Sequence, residues 1–128
     1  MSKHETPMTR WYWEKVGGLL VKEFPLVGSK PFQGKRHLDG LIVLDEPKSI
    51  SDYKHFDITG KDVMVIQAKA KRLGMYLMGQ CLFSRDLVMQ LGARTVRSVA
   101  IGTKDDSALR PLLEAHAGCE VVVYEGAV

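Results

Sequence analysis

Residues 62–70, DVMVIQAKA, carry apolar side chains at both parities: Val63 and Val65 on one face, Met64, Ile66 and Ala68 on the other. A strand that is hydrophobic on both faces has to be covered on both, so it belongs in the middle of a sheet with helices packed against it. A long helical stretch, Met75–Leu91, follows it and is closed by Gly92. A second strongly apolar strand, Val96–Gly102, comes next. A short helix starting at Asp106 or Ser107 then runs to about His116, with Pro111 an awkward interior residue, and Glu120–Tyr124 forms a last strand. Upstream, Thr9 is placed to cap a helix over about 10–24 with Tyr12, Val16, Leu19, Leu20 and Phe24 on one face, stopped by Pro25. Residues 25–36 read as a loop, and His37–Asp45 as a strand with Leu38, Ile42 and Leu44 on one side and His37, Asp39, Leu41 and Val43 on the other. Residues 46–61 read as a long loop or a short strand pair around Tyr53–Ile58. This alternation predicts an α/β fold: a mixed central sheet flanked by helices.

The 128 residues suit one domain, read here as a loose tail over 1–8 and a folded unit over 9–128. Hydrophobic residues make up 45%, enough for a core and outside the range of disordered chains. The formal charge of +3 permits binding to a polyanion without demanding it. Cys81 and Cys119 are too few for a disulfide framework and lack metal-ligand spacing, so buried free thiols in a reducing cytoplasm are expected. The four histidines show no zinc-site spacing, and no Walker or dinucleotide-binding fingerprint occurs. No apolar run reaches the roughly 18 residues of a membrane span, and the polar amino terminus is not a secretory signal.

Two polar intrusions break the apolar pattern. Asp39 interrupts one strand, and Gln67 and Lys69 share a face of the most buried one. A lysine there is costly unless it is paired or reaches solvent, which predicts a cleft with Asp39 as counter-charge. Phosphodiester hydrolysis uses such a set: oxygen donors for a hard cation, and an ammonium group to orient water or meet charge on phosphate.

The order of these residues resembles the PD-(D/E)XK nuclease superfamily: a helical Glu, an Asp early in a strand, a (D/E/Q)xK triplet ending a hydrophobic strand, then a long helix and a strand. Here the matching residues are Glu14, Asp39 in HLDGLIV, and Gln67 and Lys69 in VMVIQAK, over roughly residues 10–102. Gln in the triplet is similar to Mrr-type restriction endonucleases, and Glu14, 25 positions before Asp39, is similar to archaeal Holliday-junction resolvases. The resemblance implies a restriction-endonuclease-like fold and a DNA nuclease using Mg²⁺ or Mn²⁺. It assigns metal binding to Asp39, Gln67 and Glu14, and gives Lys69 the water or phosphate. Three features depart from the pattern: His37-Leu38 precedes Asp39 where Pro is usual, Gln67 replaces a carboxylate, and 28 positions separate Asp39 from Gln67.

Each residue also has a plainer role open to it. Asp39 can be an edge carboxylate, Lys69 can snorkel to water, and Gln67 can be a satisfied core amide. Glu14 can be a solvated surface acid, with Glu23 as the alternative fourth member. Lys35, Arg36, Lys71 and Arg72 flank the cleft and can contact phosphates or simply be solvated. Gln80 matches a helix Gln used by some exonuclease-like members, or is a helix amide. Trp11 and Trp13 lie on different sides of the first helix, so one of them can be exposed for stacking or a dimer contact. A minimal domain needs a second copy to grip a duplex, so a homodimer is expected. The alternative to a nuclease is a catalytically inactive module of the same shape that binds nucleic acid or a protein partner.

Overall fold

The computed structural model describes residues 5–27, 36–51, 53 and 55–126. Helix α1 spans Glu5–Val16, so it starts inside the segment read as tail and stops eight residues earlier than the periodicity predicts. Gly17 and Gly18 end it, both with left-handed backbones (φ 82° and 78°), and the Trp13 indole N–H donates to Gly18 O at 2.8 Å. Thr9 therefore lies within the helix and is buried. Leu19, Leu20 and Phe24 fit a helical face, but the glycine pair turns the chain and LLVK becomes strand β1 (Leu19–Lys22).

Strands β2 (Pro25–Val27) and β3 (Arg36–His37) form a small antiparallel ribbon where a loop was expected. β4 (Gly40–Val43) is shorter than the sequence pattern, and β5 (Ser49–Ser51) comes earlier than the expected Tyr53–Ile58 pair. β6 (Asp62–Ala68), α2 (Met75–Met89) and β7 (Thr95–Gly102) fall where the sequence predicts. α3 (Leu109–Glu114) starts late enough that Pro111 is its third residue, where a missing N–H does no harm. Asp106 accepts the N–H groups of Ala108 and Leu109 at its entrance. β8 is Cys119–Val123.

Six strands form one mixed sheet in the order β5-β1-β4-β6-β7-β8. β4 runs antiparallel to both its neighbours, β1 and β6, whereas β6, β7 and β8 run parallel to one another, as does β5 beside β1. Helix α1 covers one face, packing Met8, Tyr12 and Trp13 on Leu20, Ile42, Met64 and Ile66. Helix α2 lies on the other, with Val88 in the cluster of Val21, Leu41, Val43 and Val65, and Leu77 and Cys81 against Ala100 and Val121. α3 joins this second face through Leu113. Each fully buried aliphatic side chain in these layers contributes roughly 1.5–3 kcal/mol. Both cysteines are buried and free. Among the described residues, no helix is long and apolar enough to cross a membrane.

One local break positions the site. Leu38 packs with Leu41 and Val43, on the opposite side from the Ile42 face that strict alternation predicts. The chain bends at Leu38–Asp39, between β3 and β4. Glu23, with φ 52°, faces the bend and donates its N–H to Asp39 O at 3.5 Å. The two breaks separate the β1–β4 pairing from the β2–β3 ribbon that continues it.

Candidate active site at the end of the central strand

Asp39 stands in the bend, half-buried, where its Oδ2 accepts the backbone N–H of Ala68 at 2.7 Å. Ala68 is the residue between Gln67 and Lys69, so the carboxylate is tied to the carboxyl end of β6 between the two polar residues of the triplet. Pairing of Gly40 with Ile66 brings the bend to this level. Gly40 is needed there: a Cβ would come within 2.8 Å of the buried Thr9 Cγ2 on α1.

Gln67 and Lys69 both turn to the α2 side. The Gln67 Nε2–H donates to Ser84 Oγ at 2.9 Å, and the residue is only 4% exposed. With the nitrogen committed to Ser84, the amide oxygen is the atom that can meet a cation. The Lys69 ammonium lies over the Tyr76 ring, 5.4 Å from its centroid. Among the described residues it makes no ion pair, so the expected Asp39 counter-charge is not in direct contact with it. A cation over an aromatic face retains its charge and its three N–H donors for another partner.

A cleft that reaches Gln67 has a volume of about 1010 Å³ and lies between α2 and the β2–β3 ribbon; the residues that line it include neither Asp39 nor Lys69. Gln67 and Ser84 line it with Arg36, His37, Tyr76 and Gln80, so Arg36 and Gln80 are brought to the site's approach. Lys71 and Arg72 follow β6 on the exposed surface; Arg72 donates to Asp105 O at 2.7 Å and so braces the loop before α3. Lys35 lies outside the described residues.

Glu14 is not part of the site. Its carboxylate pairs with Lys48 at 3.0 Å on the exposed side of α1. The helix explains this: Thr9 adjoins Gly40, whereas the carboxyl end of α1 leads into Gly18, packed on Val43 and Leu44 at the other end of β4. Glu23, the weaker candidate by sequence, is the acid whose backbone adjoins Asp39. Ser84 and Tyr76, which orient Gln67 and Lys69, escaped the sequence reading because a serine and a tyrosine on a helix face carry no distinguishing pattern.

Among the described residues, no group of three or more His, Cys, Asp or Glu side chains is placed to hold a metal ion. Asp39 and the Gln67 amide oxygen nevertheless suit Mg²⁺ or Mn²⁺, since Mg²⁺ commonly binds through one or two carboxylates and completes its shell with water and substrate phosphate. A scan of protein-family models, a search of curated proteins and a search of solved structures each return no match.

Proposed function

We propose that this chain is a metal-dependent nuclease that hydrolyses DNA phosphodiester bonds, on a fold of the restriction-endonuclease-like kind. The observation that carries the reading is the 2.7 Å hydrogen bond from Ala68 N–H to Asp39, which joins the acid to the Gln67–Lys69 triplet across the β4–β6 pair. The chain order supports it: helix α1, then Asp39 just before β4, the triplet at the end of β6, the long helix α2 and strand β7, with β1, β2, β3 and β5 as additional strands. The PD-(D/E)XK resemblance implies a helix, an Asp strand, a triplet strand, a long helix and a strand in that order.

Asp39 and the Gln67 amide oxygen would hold the cation, with the Ala68 N–H and Ser84 fixing each donor. A bound Mg²⁺ or Mn²⁺ supplies Lewis acidity toward a phosphoryl oxygen and acidifies water. The Lys69 ammonium, held over Tyr76, meets the negative charge that builds on phosphate. Arg36 and Lys71 contribute phosphate contacts on either side, and a homodimer supplies the second grip on a duplex.

One observation favours a second reading, a catalytically inactive module that binds nucleic acid or a protein. The triplet residue that elsewhere is a carboxylate is here an amide committed to Ser84. Metal-dependent cleavage of plasmid, linear and branched DNA by wild type, Asp39→Ala and Lys69→Ala separates the two. Loss of at least about 100-fold in both variants supports the nuclease. Activity that survives both removes the site, and DNA binding without cleavage under any divalent metal supports the module. Glu23→Gln asks whether this acid is needed for the reaction.

A further inference from the structure

The outward face of α2 is unusually apolar. Met75, Tyr76 and Phe83 are 77%, 72% and 65% exposed, and all three line the cleft against the β2–β3 ribbon. Tyr76 and Phe83 are seven residues apart, so they project from the same side of the helix about 10 Å apart along its axis. Gly79 lies between them, also on the cleft wall. A Cβ there would meet nothing within 4 Å, so no packing of the protein requires this glycine, although glycine weakens a helix interior. A glycine on an open wall leaves room for a close approach by a ligand backbone.

The charges around the cleft suit a polyanion. Arg36 lines it and Lys69 stands over Tyr76, while Asp86, the one carboxylate on its wall among the described residues, is paired with Arg85 at 3.0 Å. A continuous duplex offers such a wall only phosphates and sugars, because its base faces are stacked inside. Exposed aromatic rings beside cations are matched instead by unpaired bases, whose faces are open to stacking. Ten ångströms is the span of about three stacked bases at ~3.4 Å each.

We propose that the groove between α2 and the β2–β3 ribbon binds unpaired nucleotides, with bases stacked on Tyr76 and Phe83 and the strand passing over Gly79. This rests on the nuclease reading and narrows its substrate to DNA with a single-stranded segment, such as an end, flap or branch, led toward Asp39 and Lys69.

The test is fluorescence anisotropy of a labelled ten-nucleotide oligothymidylate and a blunt duplex of equal length, with the full chain in EDTA so that cleavage does not interfere. The oligothymidylate is expected to bind at least about 10-fold more tightly than the duplex. Tyr76→Ala and Phe83→Ala are each expected to weaken it about 5- to 100-fold, with Tyr76→Phe restoring most of the loss. Gly79→Ala is expected to raise the thermal midpoint while weakening oligothymidylate binding, a combination that misfolding does not produce. Equal affinity for duplex, no binding of the oligonucleotide, or binding indifferent to Tyr76 and Phe83 would overturn the proposal. So would a wild-type dimer that these substitutions convert to monomer without altering oligonucleotide affinity, since the groove would then hold a second copy. Stacking dependent on Tyr76 in a protein that cleaves nothing would leave the groove standing and remove only the nuclease reading.

Discussion

Asp39 Oδ2 and the backbone N–H of Ala68 are 2.7 Å apart, so one carboxylate ties the Leu38–Asp39 bend to the β6 residue that lies between Gln67 and Lys69. The structural and chemical duties of this acid can be separated. Asp39→Asn retains an oxygen acceptor for Ala68 and removes the charge. It is expected to melt within a few degrees of wild type while metal-dependent cleavage falls at least about 100-fold. Asp39→Ala is expected to cost a further ~1–3 kcal/mol by leaving the Ala68 N–H unpaired, measured by urea denaturation.

Gln67→Glu puts a carboxylate where the resemblance has one. A carboxylate accepts from Ser84 Oγ–H, so the contact survives with its direction reversed. Metal titration of cleavage is expected to show half-maximal activity at about 10-fold lower Mg²⁺. Without metal the variant is expected to be less stable at neutral pH than at pH 5, since burial raises the pKa of the new acid and disfavours its charged form.

Gly18 is the most constrained glycine of the helix-to-strand turn. Its φ is 78°, and a Cβ would lie 2.7 Å from Val43 O. Gly18→Ala is expected to cost roughly 2–4 kcal/mol, read as a lower urea midpoint, because left-handed backbone strain and a backbone clash act together.

At the far end of the sheet, Asp62 accepts hydrogen bonds from Arg94 and Thr95, and these hold its pKa down at about 2. The folded-state pKa lies below the ordinary 3.8, so this acid adds stability above pH 3.8 that disappears as pH falls toward 2. Asp62→Asn is expected to be less stable than wild type at pH 7, with the gap closing through that window. An unchanged gap at pH 2 would mean the interaction is not electrostatic.

Burial pushes the Cys81 thiol up to about 12, while it lies 3.2 Å from Ser98 Oγ in the second core layer. Its thiolate is scarce at pH 8, so maleimide labelling of Cys81 in the native protein is expected to be slower than in urea by at least about 100-fold. Fast native labelling would place the thiol at the surface.

The central strand, the long helix and the parallel strand after it were legible because each pattern is local. DVMVIQAKA cannot expose either face, and the run Met75–Leu91 before Gly92 is too long for a strand. The polar interruptions Asp39, Gln67 and Lys69 were legible for the same reason: a local rule is broken. The amino-terminal half was misread where local signals tie. LLVKEF satisfies a helical face as well as a strand, and only the left-handed glycine pair, Gly17 and Gly18, turns it into β1.

By itself, the sequence determined which residues must be buried and which three polar side chains violate that burial, since transfer of apolar surface from water depends on side-chain type and period alone. Tertiary structure decided which of the two candidate acids has its backbone beside Asp39. Glu14 and Glu23 are both plausible along the chain, but α1 carries Glu14 to Lys48, whereas β1 pairing with β4 sets Glu23 against Asp39. Neighbourhood across a sheet is set by register between distant segments, and no window of sequence contains it.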